Sequence, residues 1–178
     1  MHVEAKKMAT AGLLVAFSVI MVILSSVIET SSLFFIAAGS FGVGIAVREW
    51  GLRYGIAFWL ASVLLNFIVA PNKMYCITFS AMGLYVWTSE LLWKKISDAK
   101  NLQHRNVKLW IGKYVCFNAM YIPTILLFPE LIYGGEVSLW ITIGMLLAGQ
   151  LALFIYDIAY RSFQSQIWGK LRVRLMTK

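Results

Sequence analysis

Charge is what this sequence has least of. Only 13% of its 178 residues are Asp, Glu, Lys or Arg, while 60% are hydrophobic. A soluble domain carries about a quarter charged residues and is about half apolar. Such a shortage, with a mean hydropathy of +0.75, excludes an ordinary soluble fold. Cysteine is nearly absent as well. Cys76 and Cys116 both sit inside apolar runs without C-x-x-C spacing, which reads as two small buried residues rather than a disulfide or a metal pair. His2 and His104 lie in polar flanks, so no metal site is expected. The chain has no G-x-x-x-x-G-K-[ST] loop, no H-E-x-x-H and no G-x-S-x-G. It therefore has no usual means of holding ATP, no cofactor motif and no visible catalytic set, and it is not expected to be an enzyme. The net charge of +8 would suggest nucleic acid in a soluble protein. In a membrane protein it points instead to orientation and to anionic lipid at the inner face, and nucleic acid is not expected.

What remains is a series of apolar runs separated by short polar breaks. Each run is about as long as a bilayer-crossing helix, roughly 20 residues at about 1.5 Å rise per residue. The expected fold is all-α: a polytopic membrane protein, a bundle of six transmembrane helices with both termini cytoplasmic. The expected spans are 8–28, 32–47, 54–70, 74–93, 109–128 and 137–160, and together they form one domain over 1–160. The first run follows Lys6-Lys7, as a signal peptide would, but it is too long and no A-x-A-like site follows, so it reads as a retained helix. The second is rich in small residues, Ala37, Ala38, Gly39, Ser40, Gly42, Gly44 and Ala46, which let neighbouring helices come close. Pro71-Asn72-Lys73 breaks the chain between the third and fourth spans, and Pro123 is expected to kink the fifth. In the basic tail, 161–178, Phe163, Ile167, Leu171 and Leu175 recur every four residues. That pattern fits an amphipathic helix on the inner leaflet, with Lys170, Arg172 and Arg174 among the headgroups.

Charge placement orients the six spans. Of the 16 Lys and Arg residues, all but Lys73 fall on the side of the termini, counting Lys113 just inside the fifth span. The positive-inside rule puts that side in the cytoplasm. Glu29, Glu130 and Glu136 fall on the outer side.

Few polar groups lie within the spans, and each is a candidate. Glu90, Lys113 and Asp157 lie at similar depth near the cytoplasmic ends, which favours intramembrane ion pairing over a proton relay. Asn66, Asn118 and Gln150 either join helices or line a polar pocket. Tyr75, Tyr121, Tyr133 and Trp140 fall on the outer half. They form either an interfacial belt or, with Asn72 and Lys73 at its mouth, a pocket for a small planar solute. On the first helix Ala5, Ala9, Gly12 and Ala16 make a small-residue stripe. Its spacing alone favours packing inside the bundle over docking to another membrane subunit.

The opening Lys7-Met8-Ala9-Thr10-Ala11-Gly12-Leu13-Leu14-Val15-Ala16 resembles the first helix of the substrate-binding S components of energy-coupling factor (ECF) importers. These are bacterial six-helix cell-membrane proteins with both termini inside. The resemblance implies that Ala5, Ala9, Gly12 and Ala16 dock on a membrane coupling subunit, with two cytoplasmic ATPases supplying the energy. It also implies an outward pocket for a vitamin-like small molecule near Glu29, Asn66, Asn72, Lys73, Tyr75, Tyr121 and Trp140. The Met1-His2 start lacks the extension of nickel and cobalt members, which makes a metal cargo the lesser expectation. The rival readings are a non-transporting membrane scaffold or assembly protein, and a lipid-acting membrane enzyme built on Glu90, Lys113 and Asp157.

Overall fold

A computed structural model describes residues 2–97, 105–127 and 138–170. Six long helices account for most of them: α1 (His2–Val27), α2 (Ser32–Trp50), α3 (Leu52–Val69), α4 (Lys73–Ser97), α5 (Arg105–Leu127) and α6 (Leu139–Ser162). A 3-10 turn, Glu29–Ser31, joins α1 to α2, and a π-helical segment, Phe163–Trp168, continues α6. No strand occurs among the described residues. Several helices run past the apolar stretches that mark them in the sequence. α1 starts at His2 and α4 continues to Ser97, because Lys, Glu and Ala in the flanks are themselves good helix formers. The expected loops around 98–104 and 128–137, with Glu130, Tyr133 and Glu136, and the tail beyond residue 170, lie outside the described residues.

Four stretches are long and apolar enough to cross a membrane: Lys7–Val27, Glu29–Trp50, Leu52–Val69 and Trp140–Trp168. α4 and α5 are as long, at 25 and 23 residues, but are diluted by Lys73, Glu90 and Lys94 in one and by Lys108, Lys113 and Asn118 in the other. The outward faces are apolar. Leu13, Phe17 and Ile20 of α1, Leu64 and Ile68 of α3, and Leu147, Leu151 and Ile155 of α6 are all exposed. Rows of large apolar side chains on an outer face suit lipid and would be a liability in water.

The chain divides into two compact units, 1–109 and 110–178. In the first, α2 is central, with α1, α3 and α4 packed around it. Gly39 through Val47 are buried without interruption, as expected of a helix enclosed on all sides. The glycines of α2 make that enclosure possible. A Cβ on Gly39 would stand 3.1 Å from the Ser18 carbonyl oxygen of α1. One on Gly42 would stand 3.0 Å from Ser18 Oγ and 3.2 Å from the Phe58 ring of α3. Ser18 Oγ donates to the Gly39 carbonyl at 2.8 Å, joining α1 to α2 by a hydrogen bond where lipid could offer none.

Single residues set the turns. Gly51 alone separates α2 from α3, at φ +94°, a region that costs L side chains strain. Ala70, preceding Pro71, is extended (φ −73°, ψ 134°). The proline ring forbids the helical conformation there, so α3 stops at Val69. Asn72 then caps α4, its Oδ1 accepting from Met74 N at 3.0 Å. Trp59 Nε1 donates to the Ser80 carbonyl and Trp87 Nε1 to the Leu52 carbonyl, both at 3.0 Å, so the two indoles tie α3 to α4.

The second unit is an antiparallel pair of helices held by a ladder of polar contacts between α5 and α6. Lys113 meets Asp157, Asn118 meets Gln150, and Tyr121 meets the Met145 carbonyl, so partners descend α6 as the chain ascends α5. Pro123 lies inside α5, which continues to Leu127.

Candidate functional site

Several polar groups of the first unit lie at or near the junction of α3 and α4. Lys73 is exposed, yet its ammonium is engaged: Nζ donates to the Phe67 carbonyl at 2.5 Å and to the Ala70 carbonyl at 2.9 Å. The first is among the last carbonyls of α3 and the second belongs to its extended C-cap residue, and the helix end leaves both open. Lys73 thus closes α3 while its neighbour Asn72 opens α4. Tyr75 is half-buried against a core of Val22, Ile36, Ala70, Cys76 and Phe79. Cys76 Sγ lies 3.4 Å from the Asn66 carbonyl oxygen and 3.6 Å from that of Asn72, linking α4 back to α3. Glu29 is exposed in the 3-10 turn between α1 and α2.

Asn66 is the unusual member of this group. It is fully buried, and neither Oδ1 nor Nδ2 has a hydrogen-bond partner among the described residues. Ser62, one turn earlier on the same face, is also fully buried with an unpartnered Oγ. Ser62 is not among the residues the sequence singles out. The signal was present all the same: a serine four residues before an asparagine inside an apolar run.

The other expected pocket residues, Tyr121 and Trp140, belong to the second unit. Tyr121 donates through its hydroxyl to the Met145 carbonyl at 2.8 Å and stacks on Phe117 with centroids 4.9 Å apart. Its ring lies over Gly149 so closely that a Cβ there would overlap it. Trp140 is 79% exposed. Asn118 and Gln150 bond reciprocally, Gln150 Nε2 to Asn118 Oδ1 at 2.7 Å and Asn118 Nδ2 to Gln150 Oε1 at 3.4 Å. The three helical amides therefore divide: two join helices through their side chains, and Asn66 does not.

The ionisable groups pair within each unit. Glu90, almost fully buried on α4, accepts from Arg48 of α2 at 2.6 Å and 2.9 Å. Arg48 is a partner that the depth argument from the sequence did not supply. Asp157, fully buried on α6, is bracketed by Lys113 at 2.5 Å and Arg161 at 2.8 Å. Trp110 roofs the cluster, with Arg161 Cζ 5.0 Å from its ring centroid and Phe154 stacked on it. Further along, Gln164 and Trp168 of the π segment are buried whereas Ile167 is exposed. The apolar repeat beginning at Phe163 and Ile167 thus runs one register step away from the inward face.

The stripe on α1 faces outward. Ala5, Ala9, Gly12 and Ala16 are all exposed, and a Cβ on Gly12 would meet nothing within 4 Å. The buried face of α1 is a different one, carrying Ser18, Val22 and Ser25. Within the first unit, the face of α1 that packs on its neighbours is thus not the one that carries these four residues. No family model, curated protein or solved structure matches the chain.

Proposed function

We propose that this protein is the membrane-embedded solute-binding subunit of an ECF-type, energy-coupled importer in the bacterial cell membrane. It crosses the membrane six times with both termini in the cytoplasm, takes a vitamin-like small molecule from outside, and passes it inward with a coupling subunit and two ATPases. The observation that carries this reading is the outward-facing stripe on α1. A helix that needs small residues only for its own bundle buries them, whereas Ala5, Ala9, Gly12 and Ala16 are exposed. An exposed stripe of small residues lets a second helix approach backbone to backbone, where dispersion forces replace the hydrophobic drive that lipid cannot supply. The asymmetry of the basic residues supports the orientation.

The direct test is a thermal-unfolding screen of the purified chain against water-soluble vitamins. A ligand that binds only the folded state raises the melting temperature by mass action, by the equivalent of about 2.7 kcal/mol at a hundredfold excess over Kd. The reading expects one vitamin-like compound to do so. If none does, and no coupling subunit accompanies the protein, the importer reading falls.

A further inference from the structure

We propose that the corner between the end of α4 and the start of α5 binds the phosphate headgroup of an anionic phospholipid, with Lys94, Lys95, Arg105 and Lys108 as the cations and Trp93 as the apolar support. The inference is separate from the importer reading and requires only that the apolar helices lie in a bilayer. Arg48 of α2 meets Glu90 of α4, and the Trp87 indole meets the Leu52 carbonyl at the start of α3. α2 ends at Trp50, close to that level, whereas α4 runs on to Ser97, about 10 Å past Glu90 at the α-helical rise. Its last turns accordingly stand in the open: Trp93, Lys94, Lys95 and Ser97 are all exposed. The start of α5 returns to the same place. Arg105 Cζ lies 5.4 Å from the centroid of the Trp93 ring, within cation–π range. Lys108, one turn along α5 from Arg105, is exposed, and so is Val107. No Asp or Glu occurs among the described residues from 91 to 109, and none of the four cations is in an ion pair among the described residues.

The corner offers two kinds of surface at once, and the occupant must suit both. An acidic peptide or a free phosphate would use the cations but leave Trp93 and Val107 in water. A phospholipid presents its phosphate beside its acyl chains and covers both. Trp93 fits that depth, because an indole has an apolar body and a polar N–H, the combination found at the level of the headgroups. A guanidinium held over the ring still has its N–H edges to offer, and these match phosphate oxygens bidentately. The lysines add point charges without fixed geometry. Four cations without a described counter-charge also select the headgroup. A zwitterionic lipid brings an ammonium of its own, which the lysines repel, whereas an anionic one brings only the phosphate charge.

The experiment titrates phosphatidylglycerol onto the purified full-length chain in mild non-ionic detergent and counts bound molecules by native mass spectrometry. Phosphatidylcholine and hexaglutamate are titrated for comparison. The wild type should retain phosphatidylglycerol in preference to both. Each Lys or Arg near a membrane surface is worth about a fivefold attraction, so Arg105→Gln/Lys108→Gln should bind phosphatidylglycerol about thirtyfold more weakly. Lys94→Gln/Lys95→Gln, on the other helix of the corner, should weaken it by a similar factor. Both pairs should fold as the wild type does, since none of the four side chains is in an ion pair among the described residues, and either pair alone decides the outcome. Lys7→Gln/Arg53→Gln removes as much charge from exposed positions on α1 and α3 and should leave binding unchanged. The inference is overturned if the wild type retains no phosphatidylglycerol or binds phosphatidylcholine as tightly. It is equally overturned if the corner pairs bind as the wild type does, or if the α1/α3 pair loses as much as they do, since the attraction would then be that of net charge alone. Hexaglutamate bound more tightly than phosphatidylglycerol would give the corner to an acidic protein and overturn the lipid assignment.

Discussion

Replacing Asp157 by asparagine tests the polar ladder of the second unit most sharply. The carboxylate is fully buried, and its two cations differ in exposure: Lys113 is 11% exposed and Arg161 50%. The change keeps the side-chain shape and removes only the charge. Arg161, half in the open, loses little, because exposed pairs are worth about 0–1 kcal/mol. Lys113 loses its counter-charge in a nearly closed setting, and breaking a buried pair from one side costs about 3–5 kcal/mol. Arg161 then stands as a second cation beside an unneutralised lysine, so the upper part of that range is expected. Lys113→Met should cost less, about 1–2 kcal/mol, because Asp157 keeps Arg161 as an ion-pair partner. The double variant Lys113→Met/Asp157→Asn should recover most of what Asp157→Asn loses, since no unpaired charge remains inside. Equilibrium unfolding of the purified protein in mild detergent, run as a double-mutant cycle, reads the coupling directly. A change below about 0.5 kcal/mol for Asp157→Asn, the range of ordinary surface substitutions, would refute the buried-pair account.

Two further substitutions probe the junctions. Gly51→Ala places a Cβ at φ +94° and should destabilise the first unit by about 1–2 kcal/mol in the same unfolding assay. Asn72→Ala removes the α4 cap and should cost about 1 kcal/mol, seen as faster amide exchange in the first turn of α4. Gly149→Val should displace the Tyr121 ring from α6, detected as a change in tyrosine fluorescence or near-ultraviolet dichroism with the helix content unchanged.

The helices were legible in the sequence because the breaks between them are chemical. Pro71 with Asn72, and the Arg48–Arg53 segment around Gly51, stop one helix and start the next through local effects. The close approach of α2 to its neighbours was legible for the same kind of reason: a run of glycine, alanine and serine has one use inside a bundle. Which face each helix turns inward was not legible, because lipid and protein core both select apolar side chains. That is why the α1 stripe reads as internal from its spacing and is exposed in the fold. The ion pairs show the same limit. Glu90, Lys113 and Asp157 share a depth, but depth does not name partners, and Glu90 took Arg48 from a helix end. Lys73 was conspicuous as the lone cation on its side. Its engagement with the Phe67 and Ala70 carbonyls depends on the turn geometry, which charge counting does not contain.

The central claim is that the exposed face of α1 is a docking surface of an importer subunit. It is tested by purifying the tagged full-length chain from its native membrane in mild detergent and identifying what accompanies it by mass spectrometry, for the wild type and for Ala9→Trp/Gly12→Trp. The account predicts that a multi-span membrane protein and two ATPases accompany the wild type. It predicts that they are lost with the double variant, whose melting temperature stays at the wild-type value because both positions are exposed. Wild-type protein that emerges alone, or a variant that keeps the same companions, would contradict it.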